Sequence, residues 1–134
     1  MPPTVEFVLV HDAARPLTDP KLVVRVIDRL RAGDVAGVVP AVPVPDTLKS
    51  IAGDEVVETV DRSSLVAVQT PQGFRAEILR KAHASARAGA TDDAMLVEAI
   101  GERVVTIAGD RANIKVTYLE DLELARALRS VDRG

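Results

Sequence analysis

Val5-Glu6-Phe7-Val8-Leu9-Val10-His11-Asp12-Ala13-Ala14-Arg15-Pro16 is the stretch that decides the architecture. Its first half is β-branched and aromatic and stops abruptly at polar residues, the pattern of a buried parallel strand with a loop at its carboxyl end. Downstream, Thr18 or Asp19 can cap a helix with Pro20 in its first turn. Leu22, Val23, Val26, Ile27 and Leu30 then recur at helical spacing as far as Gly33. Val35 to Ala41 is a second apolar run, so residues 5 to 41 read as a strand, a covering helix and a parallel strand.

Pro40, Pro43 and Pro45 are expected to end that strand. Asp46 to Ile51 and Glu55 to Arg62 alternate around Ala52-Gly53-Asp54 and predict a β-hairpin. A two-stranded hairpin is marginal alone in water, so a partner surface is expected for it. Leu65 to Gln69 reads as a short strand, Thr70 to Phe74 as an irregular loop, and Arg75 to Ala88 as a helix ended by Gly89. Thr91 is expected to cap a helix holding Asp92 and Asp93 in its first turn, with Gly101 at its end. Val104 to Ala108 is a third core strand. Thr117 to Glu120 forms a capping box for a last helix expected to bury Leu122, Ala125 and Leu128.

Composition narrows the chemistry. The 134 residues carry 17 Lys plus Arg against 20 Asp plus Glu, a net charge of -3, which gives no footprint for nucleic acid or an anionic membrane. Apolar residues make up 47%, enough for one domain with a real core. There is no Cys, which excludes a disulfide framework, a thiol nucleophile and any Cys-based metal site. His11 and His83 lack the paired spacing of a zinc motif. No apolar run approaches the ~20 residues of a membrane span, and a cytoplasmic location is the expectation.

In an open α/β sheet, ligands bind outside the carboxyl ends of the strands, which makes His11 to Pro16 the first candidate. Asp12 can bind Mg²⁺ or sugar hydroxyls, Arg15 can grip a phosphate, and the two alanines let a ligand approach the backbone. The competing reading pairs Asp12 with Arg15 as a loop cap. Lys115, just before a helix start, is poorly placed for helix stability and well placed for an anion. Thr70 and Thr91 are hydroxyls beside a turn and a helix start, where they can bond a phosphate or merely cap backbone. Arg62 ends the hairpin beside Asp61 and reads by itself as a solvated edge charge, and His83 as a surface residue. No serine elbow and no phosphate-binding glycine fingerprint lies within the chain. Cations and hydroxyls around a loop carboxylate suit transfer to a phosphate, which is already anionic because its second pKa is about 6 and so needs no general base.

The chain resembles the 2-C-methyl-D-erythritol 4-phosphate cytidylyltransferases. The resemblance runs through His11 to Pro16, Asp46-Thr47-Leu48-Lys49, Val60-Asp61-Arg62, Gln69 to Phe74, Thr91-Asp92-Asp93-Ala94 and Asn113-Ile114-Lys115-Val116-Thr117. It implies a three-layer α/β sandwich, Rossmann-like, with a mainly parallel sheet and a protruding hairpin arm at about residues 46 to 62. It implies a reaction of CTP with methylerythritol 4-phosphate that yields 4-diphosphocytidyl-2-C-methylerythritol and pyrophosphate, with Mg²⁺ on the triphosphate and Asp12 as a candidate metal ligand. Asp12, Ala13, Arg15, Thr70 and Thr91 then look like substrate contacts, with Lys115 and Arg62 as the catalytic cations. Arg62 would act from the arm in the neighbouring subunit of a homodimer. The family also has a strand and a glycine-rich CTP loop ahead of the HDAARP strand. Their absence from this sequence implies the C-terminal part of such an enzyme, inactive by itself. Ribitol-5-phosphate cytidylyltransferase and a non-catalytic dimerisation remnant are the alternatives.

Overall fold

The computed structural model describes residues 1–86, 89 and 92–131. In chain order the elements are β1 (Phe7–Val10), α1 (Pro20–Arg31), β2 (Gly37–Pro43), β3 (Lys49–Ala52), β4 (Glu55–Thr59), β5 (Val66–Val68) and β6 (Gln72–Arg75). They continue with α2 (Ala76–Ala84), α3 (Asp93–Ala99), β7 (Val104–Ala108) and α4 (Leu119–Arg129).

Strand alternation distributes the core onto two faces. Val26 and Leu30 of α1 pack with Val35 and Val38, and Phe7, Leu9, Val105 and Ile107 join them. On the other face Ile78, Leu79 and Ala82 of α2 and Ala94 and Val97 of α3 meet Ala36, Val39 and Phe74, with Val8 and Val10 beside them. The result is the expected three-layer sandwich. Phe74, Leu22, Leu30 and Val26 are fully buried, and each such side chain contributes about 1.5–3 kcal/mol of hydrophobic stabilisation.

β2 and β7 are parallel neighbours, as expected. β1 is not beside β2, because β6 runs antiparallel between them, pairing Val8 with Phe74 and Val38 with Gly73. Thr70 to Phe74 is therefore not the irregular loop that the sequence suggests, since its second half is a central strand. β1, β2 and β7 share one direction, and β5 and β6 oppose it. β2 also continues through Pro40 and Pro43, against the expectation that the prolines stop it. Pro40 lies between Val38, the last residue paired with β6, and Ala41, the first paired with β5. Its missing N–H falls where the antiparallel partner is interrupted. Pro43 lies beyond the last β2–β7 pair, Ala41 with Ala108.

The hairpin forms as expected, β3 against β4 in a two-stranded sheet of its own, with a φ of +63° at Gly53 in the turn. Ile51, Val56 and Val57 on it are each at least 60% exposed, so it projects as an arm instead of lying on the core. The caps differ by one residue from expectation. Asp92, not Thr91, caps α3 by accepting from Met95 N at 2.8 Å, and Thr91 lies outside the described residues. At α4 the box moves on by one: Asp121 Oδ2 accepts from the backbone N–H groups of Thr117 and Tyr118. These bonds hold its carboxyl below the usual aspartate range. On α4 only Ala125 is buried; Leu122, expected inside, is exposed and Leu128 is half-buried, because no strand packs extensively against this helix.

Candidate active site

The carboxyl ends of β1 and β7 and the entry to β6 lie at one edge of the sheet, since β6 opposes the other two. Three loops converge there. The first is a turn after β1, closed by Arg15 N donating to Asp12 O at 3.0 Å.

The second is a bulge. β5 and β6 follow the same edge of β2, yet Val38 pairs with Gly73 whereas Ala41 pairs with Val68. Three steps along β2 thus face five along the partner, and the surplus is extruded at Thr70-Pro71, whose peptide bond is cis. Gln69 N still bonds Pro40 O at 2.8 Å, which fixes where the bulge begins.

The third loop follows β7. The buried Gln69 side chain pairs with Asp110 backbone in both directions, Nε2 to O at 2.8 Å and N to Oε1 at 3.0 Å. Gly109 must be glycine for this, because a Cβ there would stand 2.5 Å from Gln69 Oε1. Val116 N then donates to Ala14 O at 2.8 Å and lays the Lys115 segment along the Asp12 turn.

These loops enclose a cleft of about 340 Å³ lined by Val10, Asp12, Arg15, Val68, Gln69, Thr70, Gln72, Asp92, Asp93 and Lys115. Asp12 Oδ2 receives Arg15 Nε at 3.3 Å and faces Lys115 Nζ at 3.6 Å, while Oδ1 has no protein partner among the described residues. Arg15 is largely buried and also donates from Nη1 to Asn113 O at 2.7 Å. Lys115 is half exposed and, among the described residues, has only Asp12 as an ionic partner, so it can turn its ammonium to a ligand. Two cations around one carboxylate give this wall a surplus positive charge.

On the opposite wall, Asp92 is engaged at the α3 N-terminus, and Asp93 Oδ1 accepts from His83 Nε2 at 2.7 Å. His83, read from sequence as a surface residue, is exposed and joins α2 to α3 through that bond. A single carboxylate oxygen open to the cleft suits Mg²⁺, which is usually held by one or two protein carboxylates together with substrate phosphates. Among the described residues no three acidic or histidine side chains form a protein-only cage.

Of the residues singled out in the sequence, Asp12, Arg15, Thr70 and Lys115 come together. The Thr70 hydroxyl accepts from Asp12 N at 2.9 Å and contacts His11 Nδ1 at 3.0 Å, so here it braces the Asp12 turn. Ala13 is exposed on the same turn and does not line the cleft. Arg62 lies elsewhere, at the arm's base, donating to Val44 O and Pro45 O at 2.9 and 2.8 Å. Sequence reasoning offers Thr18 only as a helix cap, a place Asp19 takes, and assigns His11 and Asn113 no part of their own within the blocks that contain them. Thr18 Oγ1 lies 3.1 Å from His11 Nε2 and donates to Asn113 Oδ1 at 3.0 Å, and Asn113 Nδ2 donates to Thr70 O at 2.8 Å. Their only sequence signal is that polar residues flank the strand ends.

A family model described as 2-C-methyl-D-erythritol 4-phosphate cytidylyltransferase matches residues 1–130. The chain belongs to this family. It is 55% identical over 124 residues to the family enzyme of Rhodococcus jostii (strain RHA1), covering 92% of this chain and 54% of that one. It is likewise 55% identical over 127 residues to that of Nocardia farcinica (strain IFM 10152), covering 94% and 54%. The chain thus spans about half the length of these curated relatives. Among solved structures, the family enzyme from Thermus thermophilus superposes with a TM-score of 0.85 at 43% identity, covering 94% of this chain and 63% of that one. The family fold is shared, including the Rossmann-like nucleotidyltransferase sheet. No helix among the described residues is long and apolar enough to cross a membrane.

Proposed function

We propose that this chain supplies the sugar-phosphate side of a 2-C-methyl-D-erythritol 4-phosphate cytidylyltransferase, a cytoplasmic nucleotidyl transfer. The observation that carries the reading is the pair Arg15 and Lys115, drawn from opposite ends of the chain to one carboxylate in a cleft, in a member of this family. A phosphate oxygen of methylerythritol 4-phosphate attacks the α-phosphorus of CTP. The new P–O bond forms as the α–β anhydride bond breaks, and pyrophosphate leaves with the displaced electron pair. No proton need move, so the protein's task is to hold two anions together. Lys115 neutralises and aims the attacking phosphate, Arg15 fixes Asp12, and Asp12 Oδ1 is free to meet Mg²⁺. When bound, Mg²⁺ supplies charge neutralisation on the triphosphate. Ala13 leaves room for the nucleotide beside the turn, Thr91 is assigned to the phosphate by its place in the family's motif, and Thr70 braces the Asp12 turn.

The test is a chimera in which this chain is joined to the part of the Rhodococcus jostii enzyme that it does not span. Pyrophosphate release is expected with CTP and methylerythritol 4-phosphate and is expected to need Mg²⁺. Faster release with ribitol 5-phosphate would favour that sister activity, and a soluble dimer releasing none with either would mark a non-catalytic role.

The exposed apolar residues of the arm support a homodimer built through residues 46 to 62, with Arg62 reaching the partner's cleft. Sedimentation velocity should give a dimer for the chimera and a monomer once a short glycine linker replaces the arm. A dimer that survives the deletion has another interface. Mixing Arg62→Ala and Lys115→Ala chains should recover up to about a quarter of normal activity, since half the dimers are hybrids with one intact site each.

A further inference from the structure

The most completely buried polar side chain among the described residues is not one of the cleft cations but Asn113, which is fully shielded from solvent. Its amide leaves no polar atom without a partner. Nδ2 donates to Thr70 O at 2.8 Å, and Oδ1 accepts from Thr18 Oγ1 at 3.0 Å. Its backbone carbonyl accepts from Arg15 Nη1 at 2.7 Å. These three bonds reach 43, 95 and 98 residues away in sequence, to the bulge, to the start of α1 and to the Asp12 turn. Two of the partners are themselves joined through His11. Its Nδ1 lies 3.0 Å from Thr70 Oγ1 and its Nε2 lies 3.1 Å from Thr18 Oγ1, which closes a ring of hydrogen bonds behind the cleft. Nε2 is also 3.1 Å from Arg15 O, a carbonyl that can only accept. The ring therefore donates from Nε2, and Nδ1 faces the Thr70 hydroxyl.

We infer that Asn113 is a positioning residue for the transfer: its buried amide locks the Thr18 and Thr70 loops to the strand-end segment that carries Lys115, and so sets the spacing between Lys115 and the Asp12–Arg15 pair. The inference rests on the cytidylyl-transfer reading of the cleft. Buried amides with every partner present define one geometry sharply, because any displacement leaves a polar group unsatisfied. Lys115 stands two residues beyond Asn113, and its backbone is held between that amide on one side and the bond from Val116 N to Ala14 O, at 2.8 Å, on the other. A shift of about 1 Å in a charged positioning group is enough to cost ~100-fold in rate.

The experiment uses the chimera and compares Asn113→Ala with the unmodified protein, with activity corrected for the folded fraction from urea unfolding. The expected result is a fall of ~30- to 100-fold in kcat/KM for methylerythritol 4-phosphate, with the KM for CTP within about twofold of normal. Thr18→Val, which keeps the Asn113 amide but removes its hydroxyl donor, should show the same split at a smaller size. It carries the test if Asn113→Ala does not fold. An unmodified chimera that does not turn over overturns the transfer reading itself. An active chimera whose variants lose nothing after correction, or lose equally toward both substrates, leaves Asn113 a structural cross-link and overturns this inference alone.

Discussion

Lys115→Met in the chimera is expected to lower kcat/KM for methylerythritol 4-phosphate by ~100-fold or more, with no measurable change in melting temperature. The two halves of that expectation come from different features of the same side chain. Lys115 is half exposed and meets Asp12 at 3.6 Å, a contact of the kind that contributes ~1 kcal/mol or less to stability. Methionine keeps the apolar stem, so folding should not register the change. In the transfer, by contrast, the ammonium faces a doubly charged phosphate that must be brought against a second phosphate. Loss of one preorganised group of that kind costs ~100- to 1,000-fold. Arg15→Met should behave differently. Arg15 is largely buried and holds Asn113 O as well as Asp12, so its loss should lower both melting temperature and turnover. The KM for CTP should move little in the Lys115 variant. Normal turnover in Lys115→Met would remove this residue from the chemistry and return it to a solvated charge beside a helix.

What can be read from the sequence follows the range over which each signal acts. β1, α1, β7 and the hairpin are written locally, in strand alternation, in the i, i+3, i+4 recurrence of Leu22, Val26 and Leu30, and in Gly53 between alternating segments. The strand-end position of Asp12, Arg15 and Lys115 follows from those elements together with the rule that α/β sheets place ligands there. β6 is invisible for the opposite reason. Gln72-Gly73-Phe74-Arg75 has one large apolar residue and no alternation, because its identity is dictated by what lies above and below it in the sheet. The same holds for the ring of His11, Thr18, Thr70 and Asn113. Polar pairs of this kind have no period, and their partners lie up to 95 residues apart. The prolines mislead for a related reason, since whether Pro40 breaks a strand depends on whether a partner strand is there to miss its N–H.

Gly73→Ala is expected to be the most destabilising single methyl addition in the core, lowering the melting temperature by ~10 °C or leaving the chain unfolded. Gly73 lies in β6 beneath α1. A Cβ there would stand 2.5 Å from Val26 Cγ1, 2.8 Å from Leu30 Cδ1 and 3.0 Å from Leu9 Cδ2. Carbon atoms prefer about 3.5–4.0 Å, so α1 must retreat by roughly 1 Å or the strand must drop out of register. Neither is easy, because Val26 and Leu30 are fully buried and Gly73 is paired on both sides, with Leu9 and with Val38. Overpacking of this kind costs about 1–3 kcal/mol and sometimes more, out of a typical total of about 5–15. Gly53→Ala is the control. Nothing lies within 4 Å of its would-be Cβ, so only the φ of +63° opposes it, worth about 1–2 kcal/mol. If steric conflict with α1 is the cause, Val26→Ala should restore part of the stability lost in Gly73→Ala while being destabilising alone. A melting temperature within about 2 °C of normal for Gly73→Ala would show that α1 can lift from the sheet freely.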